Sequence, residues 1–223
     1  PELQYSNEVD NALEQIKKAG LKPLSFDIPL GRGEELHENT PSLKKGLEPL
    51  AQKLSEAGCR YVICNRIPQF VRQNLADYEI LAQNFNEAGE MCSKYGIQFC
   101  YCPGEYDFVV QNDITPFHQL LSQCDKNKVK IKLNLGPILK MQQSLEWLIK
   151  AHSGRFPILV LTDFDPKSNQ NLWPGKGNFD FKMLLNQSRQ AGFESYCMEW
   201  QERRPFDYEE LAFGIDYLKK LKY

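Results

Sequence analysis

Gly96-Ile97-Gln98-Phe99-Cys100-Tyr101-Cys102-Pro103-Gly104-Glu105-Tyr106-Asp107-Phe108 is the stretch whose reading decides the fold. Its first glycine closes a preceding helix, a short strand follows, and Pro103-Gly104 stops that strand. Glu105 and Asp107 then stand just beyond the strand's C-terminal end. In parallel α/β folds that end is where ligands and reactive groups gather.

The same unit, an amphipathic helix, a glycine and a short apolar strand, recurs along the chain. Gly20 precedes Leu24-Ser25-Phe26-Asp27-Ile28, Gly58 precedes Tyr61-Val62-Ile63-Cys64, and Gly192 precedes Ser195-Tyr196-Cys197-Met198-Glu199. Gly20, Gly58 and Gly96 fall at equal intervals of 38 residues, room for one helix, two loops and one strand. Further strands are read at Val129–Leu135 and Ile158–Thr162.

Helices are read between them. One is capped by Ser6 and a second starts at Thr40-Pro41. A long one carries Leu75, Leu81, Phe85, Ala88 and Cys92, and a short one begins at Thr115-Pro116. Later helices cover Ser144 to His152, Phe181 to Ala191, and the stretch after Asp207, where Glu210 completes a capping-box pattern. Strands alternating with helices imply a parallel sheet with right-handed crossovers, either an open doubly wound sheet or a closed barrel.

Side-chain alternation favours the barrel. Phe26, Ile28, Phe99, Tyr101, Ile131 and Leu133 fall on one strand face; Asp27, Cys100, Lys132, Asn134, Thr162 and Glu199 fall on the other. Fully covered parallel strands are apolar on both faces, so a polar second face on several strands points to one shared cavity.

Composition narrows the function classes. With 223 residues the chain suits a single domain spanning 1–223. A formal charge of −2, with no basic block, gives no electrostatic support for a nucleic-acid partner. No apolar run approaches the ~20 residues of a membrane span. Seven cysteines, an odd count without regular spacing, suit reduced thiols and a cytoplasmic setting better than a disulfide framework. The chain starts at Pro1 rather than Met, so a segment upstream is expected to have been removed or left out.

At this point the sequence resembles the xylose isomerase-like TIM barrels of the sugar phosphate isomerase/epimerase family. Gly58-Cys59-Arg60-Tyr61-Val62-Ile63 resembles the family's "lG-x-x-y-v-v" strand, and Tyr101 to Phe108 its "Y-H-N-H-x-x-E-F" segment. Lys132-Leu133-Asn134 stands where the family has "l-D", and Val160-Leu161-Thr162-Asp163 where it has "H-x-K-D". Gly175-Lys176-Gly177-Asn178-Phe179-Asp180-Phe181 is similar to "G-x-G-x-i-D-f", and Met198-Glu199 to "v-E".

The resemblance implies a (β/α)8 TIM barrel. Such a barrel typically needs roughly 250 residues. Pro1-Glu2-Leu3-Gln4 is similar to the end of the family's second strand, so the first β-α unit is expected to be missing or truncated, with an upstream segment or a homodimer covering the seam.

It also implies a divalent cation, Mn, Mg or Zn, at the barrel mouth, working with carboxylates to move a proton between adjacent carbons of a sugar or sugar phosphate. Carried over by position, the ligands are Asp107, Asn134, Val160 and Glu199, of which only Glu199 matches the family unchanged. Cys102 and Gly104 replace the segment's two histidines, and Asp27 stands where relatives often carry another. A cation between Asp107, Asn134 and Glu199 is therefore expected to be weakly held or absent.

Glu199 and Asp107 are the catalytic candidates, with Lys132 and Asn134 polarising substrate oxygens. Lys132, if buried, needs a partner, which Glu199 or Asp27 supplies, and its charge either replaces the metal's or serves a structural ion pair. Arg203 and Arg204 clamp a phosphate or sugar oxygen or lie in a solvated loop. Trp173 stacks on a sugar ring or covers the rim, and His37 reaches a ligand from its loop or is solvated. The expected function is a sugar or sugar-phosphate isomerase/epimerase, the alternative a catalytically silent relative that binds a carbohydrate or a partner protein.

Overall fold

The computed structural model describes residues 2–29, 41–65, 67, 72–199 and 207–222. They divide into two compact units, Pro1–Cys102 with Val110–Lys130, and Pro103–Val109 with Ile131–Tyr223.

The first unit contains α1 (Glu2–Lys18), β1 (Ser25–Pro29), α2 (Pro41–Glu56), β2 (Tyr61–Asn65), α3 (Leu75–Ser93), β3 (Gln98–Tyr101) and α4 (Pro116–Gln123). The repeated glycines do what their spacing predicts: Gly20, Gly58 and Gly96 adopt φ of +68°, +81° and +68°. The residue after each donates back to a carbonyl five positions earlier: Leu21 to Ile16 at 3.0 Å, Cys59 to Leu54 at 2.9 Å and Ile97 to Cys92 at 3.1 Å. That 6→1 bond closes a helix and turns the chain into the next strand.

Strands β1, β2 and β3 pair in parallel, with Asp27 beside Ile63 and Ile63 beside Cys100. The alternate residues Phe99 and Tyr101 turn toward α3, where the Phe85 ring lies 5.4 and 5.0 Å from theirs. The helix is set by a reciprocal cap. Asn74 Oδ1 accepts the Asp77 N–H at 3.2 Å, and Asp77 Oδ2 accepts the Asn74 N–H at 3.0 Å. It runs so close to the loop before residue 129 that a Cβ on Gly89 would sit 2.4 Å from the Lys128 carbonyl oxygen.

The second unit takes most of β4 (Val129–Asn134), then α5 (Leu135–Lys140), α6 (Leu145–Ala151), β5 (Ile158–Val160), β6 (Asp163–Asp165) and β7 (Gln170–Leu172). It ends with α7 (Phe181–Asn186), α8 (Ser188–Ala191), β8 (Ser195–Cys197) and α9 (Tyr208–Lys220). β4, β5 and β8 pair in parallel, with Lys132 beside Ile158 and Ile158 beside Ser195. Two residues further along the same face, Asn134, Val160 and Cys197 pair. Gly192, at φ +83°, closes α8 with the same 6→1 bond, Phe193 to Ser188 at 3.0 Å.

Several local readings need correction. Residues 2–4, expected as a strand end, are helical, and Ser6 lies inside α1 rather than capping it. The expected helix from Phe181 to Ala191 is two short ones, because Gln187 takes a non-helical role as the cap between them. β4 ends at Asn134, not Leu135, since the Asn134 side chain starts α5 at once. β5 stops at Val160, and residues 163–172 form an antiparallel hairpin that alternation alone did not reveal. Among the described residues no helix is long and apolar enough to cross a membrane.

Candidate functional site

Strand β4 reads Val-Lys-Ile-Lys-Leu-Asn. Its period of two buries Ile131 and Leu133 on one face and directs Lys132 and Asn134 to the other. The parallel register with β5 and β8 puts Ser195 and Cys197 on that same face, and Glu199 continues their alternation two residues on. There the Lys132 ammonium makes an ion pair with Glu199 Oε1; the lysine side chain is 5% exposed and the glutamate 40%. A nearly buried ammonium is stable only with such a partner. Of the two partners expected for Lys132, the structure pairs it with Glu199.

Asn134 is half-buried, and its Oδ1 accepts the Gly136 N–H at 3.0 Å as the N-cap of α5. Asp107 is fully buried. Its Oδ2 accepts the Gly104 N–H at 2.7 Å, tying off the 3₁₀ turn Glu105–Phe108 that follows β3. Glu105 pairs with Lys140 of α5 at 2.8 Å.

A second carboxylate dominates this unit without having been singled out from sequence. Asp163 is fully buried. Its Oδ2 accepts the N–H groups of Gly175 at 3.1 Å and Gly177 at 2.9 Å, while Oδ1 accepts those of Phe164 at 2.9 Å and Phe179 at 3.2 Å. The Gly175-x-Gly177 spacing was the available signal. Gly175 needs φ +83°, and a Cβ there would meet the Tyr217 ring at 2.6 Å. Burial, with the Asp163 and Asp180 carboxylates behind it, pushes the Tyr217 phenol up. Trp173, half-buried at the start of this loop, offers its carbonyl to the Lys176 N–H at 3.0 Å.

In the other unit Asp27 is exposed and accepts the Asn65 amide N–H at 2.7 Å. Cys100 is buried and Cys102 half-buried. His37, Arg203 and Arg204 lie outside the described residues. The structure thus brings Lys132 and Glu199 together, and gives Asp107 and Asn134 backbone partners of their own.

The four positions that the resemblance assigns to a divalent cation do not fit one. Val160 has no donor atom, Asn134 is neutral and caps a helix, and Asp107 is buried against a backbone N–H. Glu199, the one unchanged ligand, already faces an ammonium. Among the described residues no three His, Cys, Asp or Glu side chains gather as a metal-holding group.

The comparisons with known proteins agree on the architecture. The family model for the xylose isomerase-like TIM barrel matches residues 2–221. A sugar phosphate isomerase/epimerase from Parabacteroides distasonis ATCC 8503 superposes with a TM-score of 0.78 at 20% identity, over 96% of this chain and 77% of that one. The IolI protein with a binding zinc atom gives 0.67 at 17% identity, over 95% and 79%. A xylose isomerase-like TIM barrel protein from Mycobacterium smegmatis, in complex with magnesium, gives 0.67 at 13% identity, over 99% and 78%. No curated protein matches the chain at a significant level.

Proposed function

The chain belongs to the xylose isomerase-like TIM barrel family, and from that premise we propose that it is a sugar or sugar-phosphate isomerase/epimerase. The observation that carries the reading is the pairing of the buried Lys132 with Glu199, at the strand end the family uses for its chemistry. In this reading the Glu199 carboxylate takes the proton from the carbon beside a substrate carbonyl. The Lys132 ammonium donates a hydrogen bond to the carbonyl oxygen, where negative charge develops as the enediolate forms. Asp107 is the second carboxylate of the scheme, and Asn134 and Trp173 contact the sugar. Positioned acid–base groups of this kind supply roughly 10²–10⁴-fold each.

A divalent cation, where relatives hold one, would polarise the substrate oxygens; in this reading Lys132 takes that task.

A second reading, a catalytically silent member that binds a carbohydrate or a partner protein, is favoured by one observation. The Asp107 carboxylate is fully buried and bonded to the Gly104 N–H, a placement that suits holding a turn better than passing a proton to a ligand.

Solvent-proton exchange separates the two. The protein is incubated in D₂O with a panel of ketoses, aldoses and their phosphates, and deuterium at the carbon next to the carbonyl is read by mass spectrometry. The isomerase reading expects incorporation that falls on the order of 100-fold in Glu199→Gln. Absence of exchange with every sugar, in folded protein, leaves the silent reading standing alone.

A further inference from the structure

We propose that Lys132 takes the place of a divalent cation, so that this centre is metal-independent and binds its ligand through an ammonium–carboxylate couple. The proposal takes from the proposed function only the location of the centre, and holds whether or not turnover occurs. Three observations carry it. The Lys132 side chain, 5% exposed, sits on the inward face of β4, and its ammonium contacts the carboxylate that the family pattern makes a metal ligand. One step further along the same face the strands present Asn134, Val160 and Cys197, where Val160 offers no lone pair and the Asn134 oxygen is engaged by the Gly136 N–H. Glu199, at 40% side-chain exposure, is the half of the pair that reaches solvent.

A cation bound to Glu199 would have to displace the ammonium or share its carboxylate with it. Two like charges on one partly buried carboxylate repel strongly. The substitutions are also mutually consistent: a single fixed positive charge replaces a mobile double one, and Val160, on the neighbouring strand, offers no donor.

The ligand class follows from the couple's chemistry. An ammonium donates and a carboxylate accepts, so neighbouring oxygens on one sugar, one accepting from Lys132 Nζ and the next donating its hydroxyl proton to Glu199, satisfy both groups together. Binding of such a polyol is then insensitive to chelators.

The test uses the full chain and the metals alone. Protein purified without chelator is dialysed against Mn²⁺ and, separately, Zn²⁺, and bound metal is counted by elemental analysis. The expected wild-type result is far less than one equivalent. One equivalent that disappears in Glu199→Gln overturns the proposal.

Two rebuilt variants test the lysine itself, Asn134→Asp/Val160→His with Lys132 kept, and the same pair with Lys132→Met, each checked for folding by circular dichroism. If the ammonium holds the cation's place, the variant that keeps it binds Mn²⁺ on the order of 100-fold more weakly than the one without it. Equal binding by the two, or binding by neither, overturns the proposal. Because every arm reads metal rather than turnover, absence of isomerase activity leaves the outcome decidable.

Discussion

Asp163 and Gly177 are matched at atomic contact: the glycine N–H donates to Oδ2 at 2.9 Å, and a Cβ at 177 would lie 2.2 Å from Oδ1. The carboxylate collects further N–H groups from Phe164, Gly175 and Phe179, so one buried side chain gathers the backbone from the start of β6 to the residue before the cap of α7. The Gly-x-Gly sequence is thereby explained by close approach, without a phosphate or any other ligand.

Asp163→Ala removes four acceptor contacts and leaves buried donors without them. The expected cost is about 3 kcal/mol of folding stability, read from the urea midpoint at unchanged slope. Asp163→Asn should recover less than half of that. Each carboxylate oxygen accepts two N–H groups, and an amide nitrogen in either place faces two donors with a third. Full recovery by Asn would show that the charge and the second acceptor are dispensable.

Breaking the Lys132–Glu199 pair should be asymmetric. Glu199→Gln removes a counter-charge from beside a nearly buried ammonium, whereas Lys132→Met leaves a carboxylate that still reaches water. The first is expected to cost about 2 kcal/mol and the second under about 1 kcal/mol, with the double variant closer to Lys132→Met than to the sum. Chemical denaturation of all four proteins closes the cycle, and equal single-variant costs would refute the asymmetry.

His118, in α4, contributes a pH dependence. Burial pushes its imidazole below the ordinary value of 6.5. As pH falls, the unfolded chain takes up the proton first, so this contribution to stability is intact above the ordinary value and is lost on the way down to the folded one. Wild type should lose stability as pH falls below about 6.5, and His118→Gln should flatten that part of the curve. Parallel curves for the two proteins would remove His118 from the account.

Cys92, buried on α3, has its thiol pushed up to about 12 by burial. In native protein near pH 8, iodoacetamide should reach the half-buried Cys102 and Cys197 at least ~100-fold faster than Cys92. Peptide mapping against time makes the comparison. Comparable native rates would mean that α3 opens far more readily than its packing implies.

Much of the architecture was legible because it rests on local, periodic signals. Glycines at 20, 58, 96 and 192 each mark a helix end, and all four take the left-handed conformation expected of them. The two strand faces were also readable, since alternation is enforced by the backbone: Phe99 and Tyr101 meet Phe85 as the pattern required. Lys132 could be given a short list of partners because a buried ammonium must have one.

What was not legible depends on contacts between distant segments. Nothing near Asp163 in sequence announces that its acceptors serve residues 12 to 16 positions later. The hairpin of β6 and β7 has strands of three residues each, too short for alternation to speak. The break at Gln187 likewise interrupts a run whose apolar spacing looks continuous.

One consequence of the junction between β4 and α5 reaches beyond this molecule. The strand ends on the residue whose side chain starts the helix, with no loop between, so position 134 must carry a short oxygen-bearing group for the Gly136 N–H. Aspartate and asparagine meet that demand equally well. In an alignment of relatives, an acidic residue persisting in this column would therefore be maintained by helix initiation even after its chemistry had gone. Counting it as a surviving ligand would overstate how many members of such a family remain metalloenzymes.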